Sequence, residues 1–257
     1  MPKSTPTYEI VARPTTSNSK TGNIPTLTVG TSKSACASSC KKAGCPLLPK
    51  SLGGKNGQVN KSLKLKACYA WNGTVRGASI SMWKTIDRIR EATGEFPHQY
   101  TVEAAIFNAK RAAKVFRVTA LGDVSALPPE QWKTEIEEPI LKAGLGIYGF
   151  TAGWRFAHHL KGKLMASNFT MRTADNAVAK GWRSTCLLPK SAVGKDWSKT
   201  RFTTPKGNPI VVCPHQVQQH RAKLSGEPIP EKKKITCNDC RLCVASRPGP
   251  IIGFVEH

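Results

Sequence analysis

The chain has 257 residues, a mass of 27.9 kDa and 39% apolar residues, which is enough for one large domain or two small ones with a sizeable core. Lys and Arg number 39 against 16 Asp and Glu, for a formal net charge of +23; this excess is unlike an ordinary metabolic enzyme and favours a polyanionic partner. The sequence has no run of about eighteen apolar residues, and its opening MPKSTPT lacks the apolar core of a signal peptide, so we expect a cytoplasmic protein without a membrane partner.

The elements alternate along the chain. Residues 1–22 are rich in Thr, Ser, Pro and Lys and predict a flexible basic tail. Short apolar runs predict strands at residues 23–30, 115–121, 145–151, 163–168, 182–187 and 208–212. Apolar residues at helical spacing predict helices at 76–93, 100–114, 128–143 and 173–180. This order predicts an α/β domain over residues 23–212, with a parallel sheet either open or curled toward a barrel, followed by a cysteine-rich region at 213–257.

Polar residues follow several of the predicted strands. Parallel α/β sheets place their active sites at the carboxyl ends of the strands, so we expect these side chains to point into one mouth. They are Gly122, Asp123, Ser125, Thr151, Ser167 and Asn168. Asp123 suits a ligand ammonium group, and the other polar side chains suit hydroxyl groups or a carboxylate.

The nine cysteines fall into two groups of four, with Cys186 alone between them. An odd number without an export signal argues against a disulfide framework and toward metal ligation, and Cys186 in a predicted strand is expected to be a buried small hydrophobe. The early group is Cys36, Cys40, Cys45 and Cys68, and the late group is Cys213, Cys237, Cys240 and Cys243. Four thiols fill a zinc site or hold a four-iron cluster, whereas three leave one iron open. The late CNDCRLC run with a remote cysteine favours a cluster over zinc.

The basic charge is concentrated in the early part of the chain. Residues 10–86 contain no acidic residue and twelve Lys and Arg. Such a field attracts phosphate backbones, so we expect contact with a nucleic acid, DNA above all. The alternative is that these lysines neutralise the thiolates of the early cysteine loop and need no external anion.

A cysteine group after the first strand, a Gly-acid pair after the next strand and repeated βα units resemble the radical S-adenosylmethionine (SAM) superfamily. More closely, GCPLL, ACYAWNG, LGDVS, YGFTAGW, VCPHQ and CNDCRLC resemble the phage-encoded gene product 88 domain family. The resemblance extends over residues 23–245. It implies a partial (βα)6 barrel or curled parallel sheet with a C-terminal extension that binds a cluster.

The resemblance also implies a set of ligands. Cys40, Cys45 and Cys68 would hold a [4Fe-4S] cluster whose open iron chelates SAM, with Cys36 as an alternative ligand, and the late group would hold a second cluster. The spacing of the early cysteines departs from the usual CxxxCxxC, and Gly122-Asp123 stands where the superfamily more often has Gly-Gly-Glu. The contact of Asp123 with the amino group of SAM is implied by resemblance only.

The implied function is a radical SAM enzyme acting on a nucleic acid. The associated task is hypermodification of thymine in phage DNA, such as isomerisation of an amino acid attached to the thymine methyl group, in the host cytoplasm and with flavodoxin or ferredoxin as electron donor. The alternative is a non-catalytic DNA-binding protein whose fold is stabilised by structural zinc or iron–sulfur sites. An iron–sulfur nuclease is disfavoured because acidic residues are sparse.

Overall fold

A computed structural model of the chain describes residues 8–15, 20–30, 42–43, 73–109 and 111–256. The ten strands of these residues are β1 (Glu9–Arg13), β2 (Thr26–Gly30), β3 (Val115–Leu121), β4 (Gly146–Tyr148), β5 (Phe150–Thr151), β6 (Met165–Ser167), β7 (Ser184–Leu188), β8 (Arg201–Thr203), β9 (Pro209–Val212) and β10 (Ile251–Val255). Their α-helices are α1 (Gly73–Thr93), α2 (Val102–Phe107), α3 (Pro129–Trp132), α4 (Glu138–Lys142), α5 (Met171–Ala179), α6 (Lys190–Val193), α7 (Pro214–Ser225) and α8 (Cys237–Cys240). A π-helical turn, Lys133–Glu137, joins α3 to α4.

The strands form two mostly parallel sheets. The first has the order β1-β2-β3-β4, and the second has the order β5-β6-β7-β10-β9-β8. Only the edge strands β1 and β8 run antiparallel to their neighbours. The prediction of an α/β fold with a parallel sheet is therefore confirmed, while the described residues form two open sheets and no closed barrel.

Gly149 joins the two sheets. It separates β4 from β5, its carbonyl accepts a hydrogen bond from the Met165 N–H at 3.1 Å, and the next N–H, of Phe150, donates to Thr119 Oγ1 at 3.2 Å. A Cβ atom at position 149 would lie 2.5 Å from Val118 Cγ2 and 2.7 Å from the Val118 carbonyl oxygen. The close approach of β3 thus requires glycine here, and the single predicted strand at 145–151 is two strands that pair with different neighbours.

Helices α2 to α7 pack on one face of the sheets, which we call the helix face, whereas α1 packs against Val11 on the opposite face of β1. Alternate strand residues share a face, and the apolar residues of this face include Phe116, Ile147 and Cys186. The π-helical segment and its flanking helices cover Phe116 and Ile147 with Trp132, Ile136 and Ile140, all nearly fully buried. Burial of each of these large side chains contributes roughly 1.5–3 kcal/mol. The opposite face carries Tyr148, Met165 and Ile252, which contact the late cysteines, and we call it the cysteine face.

Two strands differ from the sequence-based expectation. β1 lies within the predicted flexible tail: it pairs with β2 and buries Ile10 and Ala12 on the helix face, so the tail prediction is wrong for Glu9–Arg13. β10, which was not predicted, lies between β7 and β9 in the second sheet. The predicted helix at 100–114 is short, because α2 ends at Phe107 with Asn108 as its C-cap.

Across the described residues, none of the helices combines the length and apolar character that crossing a membrane requires.

Candidate metal centre and strand-end site

The four late cysteines line one small cavity. Cys213 directly follows β9 and is the N-cap residue of α7, while Cys237 and Cys240 begin and end α8. The cavity measures about 20 Å³, and its walls are Cys213, Cys237, Cys240 and Cys243 with Tyr148, His215 and Ile252 among others. Chain folding therefore brings Cys213 to the CNDCRLC segment, which begins 24 residues later in the sequence.

The thiols of this group are largely shielded from solvent. Burial raises the pKa of Cys243 well above its ordinary value, and the neighbouring Cys213, Cys237 and Cys240 raise it further. Burial also raises the pKa of Cys237, opposed by the hydroxyl of Tyr148, whose Oη lies 3.4 Å from Cys237 Sγ. Metal or cluster ligation requires thiolates and releases their protons.

Two side chains anchor the chain around the thiols. Arg183, at the start of β7, donates to the carbonyl oxygens of Leu242, Arg247 and Pro250. Asn238 accepts from the Lys114 N–H at 2.7 Å and donates to the Ala112 carbonyl at 2.9 Å, just before β3. These contacts fix the cysteine segment to both sheets.

The four late cysteines form a donor set made of sulfur alone. Four thiols around one cavity have the chemistry that Zn²⁺ and iron–sulfur clusters select. In the part of the chain that the structure describes, no three His, Cys, Asp or Glu side chains already stand in a metal-holding arrangement. The late thiols fit a soft metal group by the chemistry of their donor atoms and by their convergence on one cavity.

The second candidate site centres on the carboxylate of Asp123, which is only 5% exposed. Oδ1 accepts from the Ser125 N–H at 3.0 Å and from the Thr151 hydroxyl at 2.8 Å, and Oδ2 accepts from the Ala152 N–H at 2.7 Å. Burial raises the pKa of Asp123, and these three hydrogen bonds oppose that rise. The carboxylate thus ties the loop after β3 to the end of β5.

Residues around Asp123 have local structural reasons for their identity. Gly122 has φ 78°, a conformation that strains any residue with a Cβ atom. Gly153 packs so closely on Ser125 that a Cβ at position 153 would lie 2.1 Å from Ser125 Oγ. Thr151 is fully buried and also accepts from the Gly153 N–H at 3.0 Å. The structure therefore brings Gly122, Asp123, Ser125 and Thr151 together.

The other two predicted strand-end residues lie apart from this network. Ser167 is half-buried at the end of β6 and lies in register with Thr185 of β7. The amide of Asn168 donates to the Ala166 carbonyl at 3.3 Å and to Ser184 Oγ at 2.9 Å. Asn168 thus bonds to β7, whereas Asp123 bonds to the end of β5.

Cys36, Cys40, Cys45 and Cys68 lie outside the described residues, as do most of the lysines of the acid-free span. Lys42 and Ala43, between Cys40 and Cys45 in sequence, are described. Lys42 Nζ donates to the Ala126 carbonyl at 2.9 Å, and Ala43 is buried. Ala126 belongs to the 3-10 turn that begins directly after Asp123, so Lys42 contacts the Asp123 loop.

Two residues that contact the late cysteines were not predicted from the sequence. Tyr148 and Arg183 resemble ordinary strand residues, and only the fold shows that they contact the cysteine segment. Cys186 points instead to the helix face, is 1% exposed, and has a pKa raised to about 12 by burial. The prediction that it is a buried small hydrophobe agrees with this placement.

Comparison with known proteins gives no matching family model, no similar curated protein and no similar solved structure.

Proposed function

We propose that the chain is a radical SAM enzyme that acts on a nucleic acid, with DNA as the substrate class. The observation that carries the proposal is the convergence of the four late thiols on one cavity against the cysteine face of a mostly parallel sheet. A remote cysteine joining a CxxCxxC run in this way suits a cluster-binding extension. The finer fold, a partial barrel of the radical SAM type, is part of the same proposal.

The Asp123 loop supports the proposed position of the cofactor. β2 and β3 are parallel neighbours, so the chain leaves β2 at Gly30, toward the early cysteines, on the same edge where β3 ends. The contact of Lys42 with Ala126 brings a described residue between Cys40 and Cys45 to that loop. Parallel α/β sheets bind their ligands at this edge.

The proposal assigns a role to each of the two cysteine groups. Cys40, Cys45 and Cys68 hold the cluster that binds SAM, with Cys36 as the alternative ligand, and the late four hold a second cluster. When bound, the first cluster supplies the electron that cleaves a carbon–sulfur bond of SAM, drawn from a donor such as flavodoxin or ferredoxin.

The residues of the chain orient this chemistry. Asp123 accepts hydrogen bonds from Ser125, Thr151 and Ala152, so its part is to fix the loop beside the proposed position of the SAM ammonium. Ser167, on the cysteine face, and Asn168 lie along the same row of strand ends and suit ribose hydroxyls or the carboxylate of SAM.

The specific reaction in this proposal is modification of a thymine base, such as isomerisation of an amino acid attached to its methyl group. Chemistry on a base requires that the base leave the stack. The net charge of +23 supports attraction of the phosphate backbone.

One observation favours a second candidate, a non-catalytic nucleic-acid-binding protein stapled by zinc. The late cavity of about 20 Å³ is the size that holds a single small occupant, and four thiols form a closed tetrahedral zinc site.

The test is reductive cleavage of SAM by the anaerobically reconstituted full chain with dithionite. We expect 5′-deoxyadenosine from the parent protein and from the Cys186→Ala control, whose thiol lies on the helix face, and none from Cys68→Ala. Formation by Cys68→Ala at the parent rate would overturn the ligand assignment in favour of Cys36, Cys40 and Cys45. No product from the reconstituted parent, with duplex DNA present, would overturn the radical SAM function and leave the zinc-stapled candidate.

A further inference from the structure

A second and larger cavity lies at the carboxyl ends of three strands of the second sheet. It measures about 660 Å³ and is lined by Lys20, Lys190, Trp197, His215, Gln216, Gln219, His220, Lys223 and Glu256. Lys190 follows the end of β7, His215 follows the end of β9, and Glu256 directly follows β10. Volumes of about 300–1,000 Å³ are typical of ligand sites, and open α/β sheets place such sites at this edge.

The charges of this cavity favour an anion. Among the described residues that line it, three are lysines and one is acidic. The acidic side chain, Glu256, is turned toward the backbone, because its Oε1 accepts from the Lys190 N–H at 3.2 Å. Lys190 and Lys223 are exposed at the rim, whereas His215 and Trp197 are buried.

The start of α7 adds to this charge. The helix has twelve residues, begins at Pro214, has no acidic residue in its first turn, and its N-cap residue Cys213 makes no side-chain capping hydrogen bond. Its first-turn residues His215 and Gln216 line the cavity. The partial positive charge of a helix N-terminus therefore acts on the same space as the three ammonium groups.

The wall of the cavity is rigid. The side-chain amide of Gln216 donates to the Val255 carbonyl at 3.2 Å and accepts from the Val255 N–H at 3.1 Å, which joins α7 to the end of β10. The rings of Trp197 and His220 stack at 4.4 Å between centroids and 15° between planes. Trp197 holds φ 53°, a rare conformation for a bulky residue. Such strain persists only where surrounding contacts over-determine it, and it is common at ligand sites.

We infer that this basic cavity binds two neighbouring phosphate groups of the DNA backbone. This inference rests on the nucleic-acid partner of the proposed function and gives that partner a docking position outside both cysteine groups. Lys190 and Lys223 each contact one of these phosphates from the rim, and the partial positive charge at the start of α7 adds to the attraction. His215 lines both this cavity and the cavity of the late thiols, so a strand held here passes beside the proposed late cluster.

The test is the salt dependence of binding to a fluorescein-labelled 20-base-pair DNA duplex, measured by anisotropy with the full anaerobic chain. Each phosphate contact contributes about 0.9 to the slope of log K against log salt. We expect Lys190→Ala and Lys223→Ala each to lower the slope by about 0.9, which corresponds to about an eightfold loss of affinity at 0.1 M salt. Lys142→Ala is the matched control, because Lys142 is equally exposed but lies at the end of α4, packed beside β4.

Two further variants strengthen the design. Lys190→Arg keeps the charge and is expected to retain the slope, and Glu256→Gln removes the one acidic side chain of the cavity and is expected to tighten binding. Slopes for Lys190→Ala and Lys223→Ala equal to that of Lys142→Ala would overturn the inference while leaving DNA binding elsewhere on the chain intact. Binding of inorganic phosphate or a mononucleotide that depends on Lys190, without any effect of Lys190 on the duplex, would also overturn it, because the source would be a free phosphate. Formation of 5′-deoxyadenosine is measured on the same variants, so loss of the docking site is distinguished from failure of the proposed chemistry.

Discussion

Replacement of Asp123 by Asn tests how the buried carboxylate holds the strand-end site together. The Asn carbonyl oxygen can still accept from the Ser125 N–H and the Thr151 hydroxyl, but an NH₂ group takes the place of Oδ2, which lies 2.7 Å from the Ala152 nitrogen. The side-chain NH₂ of Asn and the Ala152 N–H, which are both donors, then face each other. A buried donor without an acceptor costs about 1–3 kcal/mol, partly offset because a neutral amide avoids the desolvation that raises the pKa of Asp123.

We therefore expect the unfolding free energy to fall by about 1–2 kcal/mol, which lowers the thermal midpoint of a chain of this length by about 2–8 °C. Thr151→Val removes the hydroxyl partner, and Asp123→Asn combined with Thr151→Val completes a double-mutant cycle. Because the two side chains are in contact, the effects are expected to be non-additive by about 0.5–3 kcal/mol. An unchanged midpoint for Asp123→Asn, or strict additivity in the cycle, would refute the reasoning.

Three further predictions concern other parts of the chain. Gly149→Ala, whose Cβ would press on the Val118 carbonyl at 2.7 Å, should destabilise the protein by about 1–3 kcal/mol, and a thermal midpoint equal to that of the parent would contradict the close approach of β3. Burial raises the pKa of Asp175, but hydrogen bonds led by the one from the Thr204 hydroxyl outweigh burial, so the pKa is lowered in the folded protein. The ionised Asp175 therefore stabilises the fold above the pKa of the unfolded state, and this stabilisation is lost as the pH falls through the lower, folded pKa. Asp175→Asn should therefore lower the thermal midpoint near neutral pH and flatten its fall below about pH 4, and a parallel pH profile would count against this. Cys240→Ala should lower metal content and thermal midpoint together, whereas Cys186→Ala should leave metal content at the parent value; equal metal content in both would remove Cys240 from the late site.

Local sequence patterns predicted the strands and helices in which apolar residues recur at the regular spacing of that element. VFRVTAL at β3 and the helix opened by two prolines after residue 127 both occur where the apolar spacing places them. β1 was missed because the polar composition of the tail masks EIVAR, whose three buried side chains become informative only once β2 and α1 lie beside them. β10 was missed for a related reason: IIGFV is a short apolar run near the end of the chain, and its place between β7 and β9 depends on contacts distant in sequence.

The candidate sites likewise contain some features that the sequence predicts and others that depend on the fold. The grouping of the late cysteines follows from their spacing, whereas Tyr148 and Arg183 reach them only through the fold. The strand-end residues follow from strand order, but the sequence does not reveal that Asp123 bonds to Thr151 while Asn168 bonds to Ser184. Such pairings depend on where each short strand stops relative to its neighbour.

We propose that both cysteine groups hold iron and sulfur. Iron, acid-labile sulfide and zinc are quantified in the anaerobically purified and reconstituted full chain, together with its visible spectrum. We expect about eight iron and eight sulfide per chain with a visible charge-transfer band, since the proposal assigns one four-iron cluster to each group of thiols. Stoichiometric zinc with no visible absorbance would contradict it.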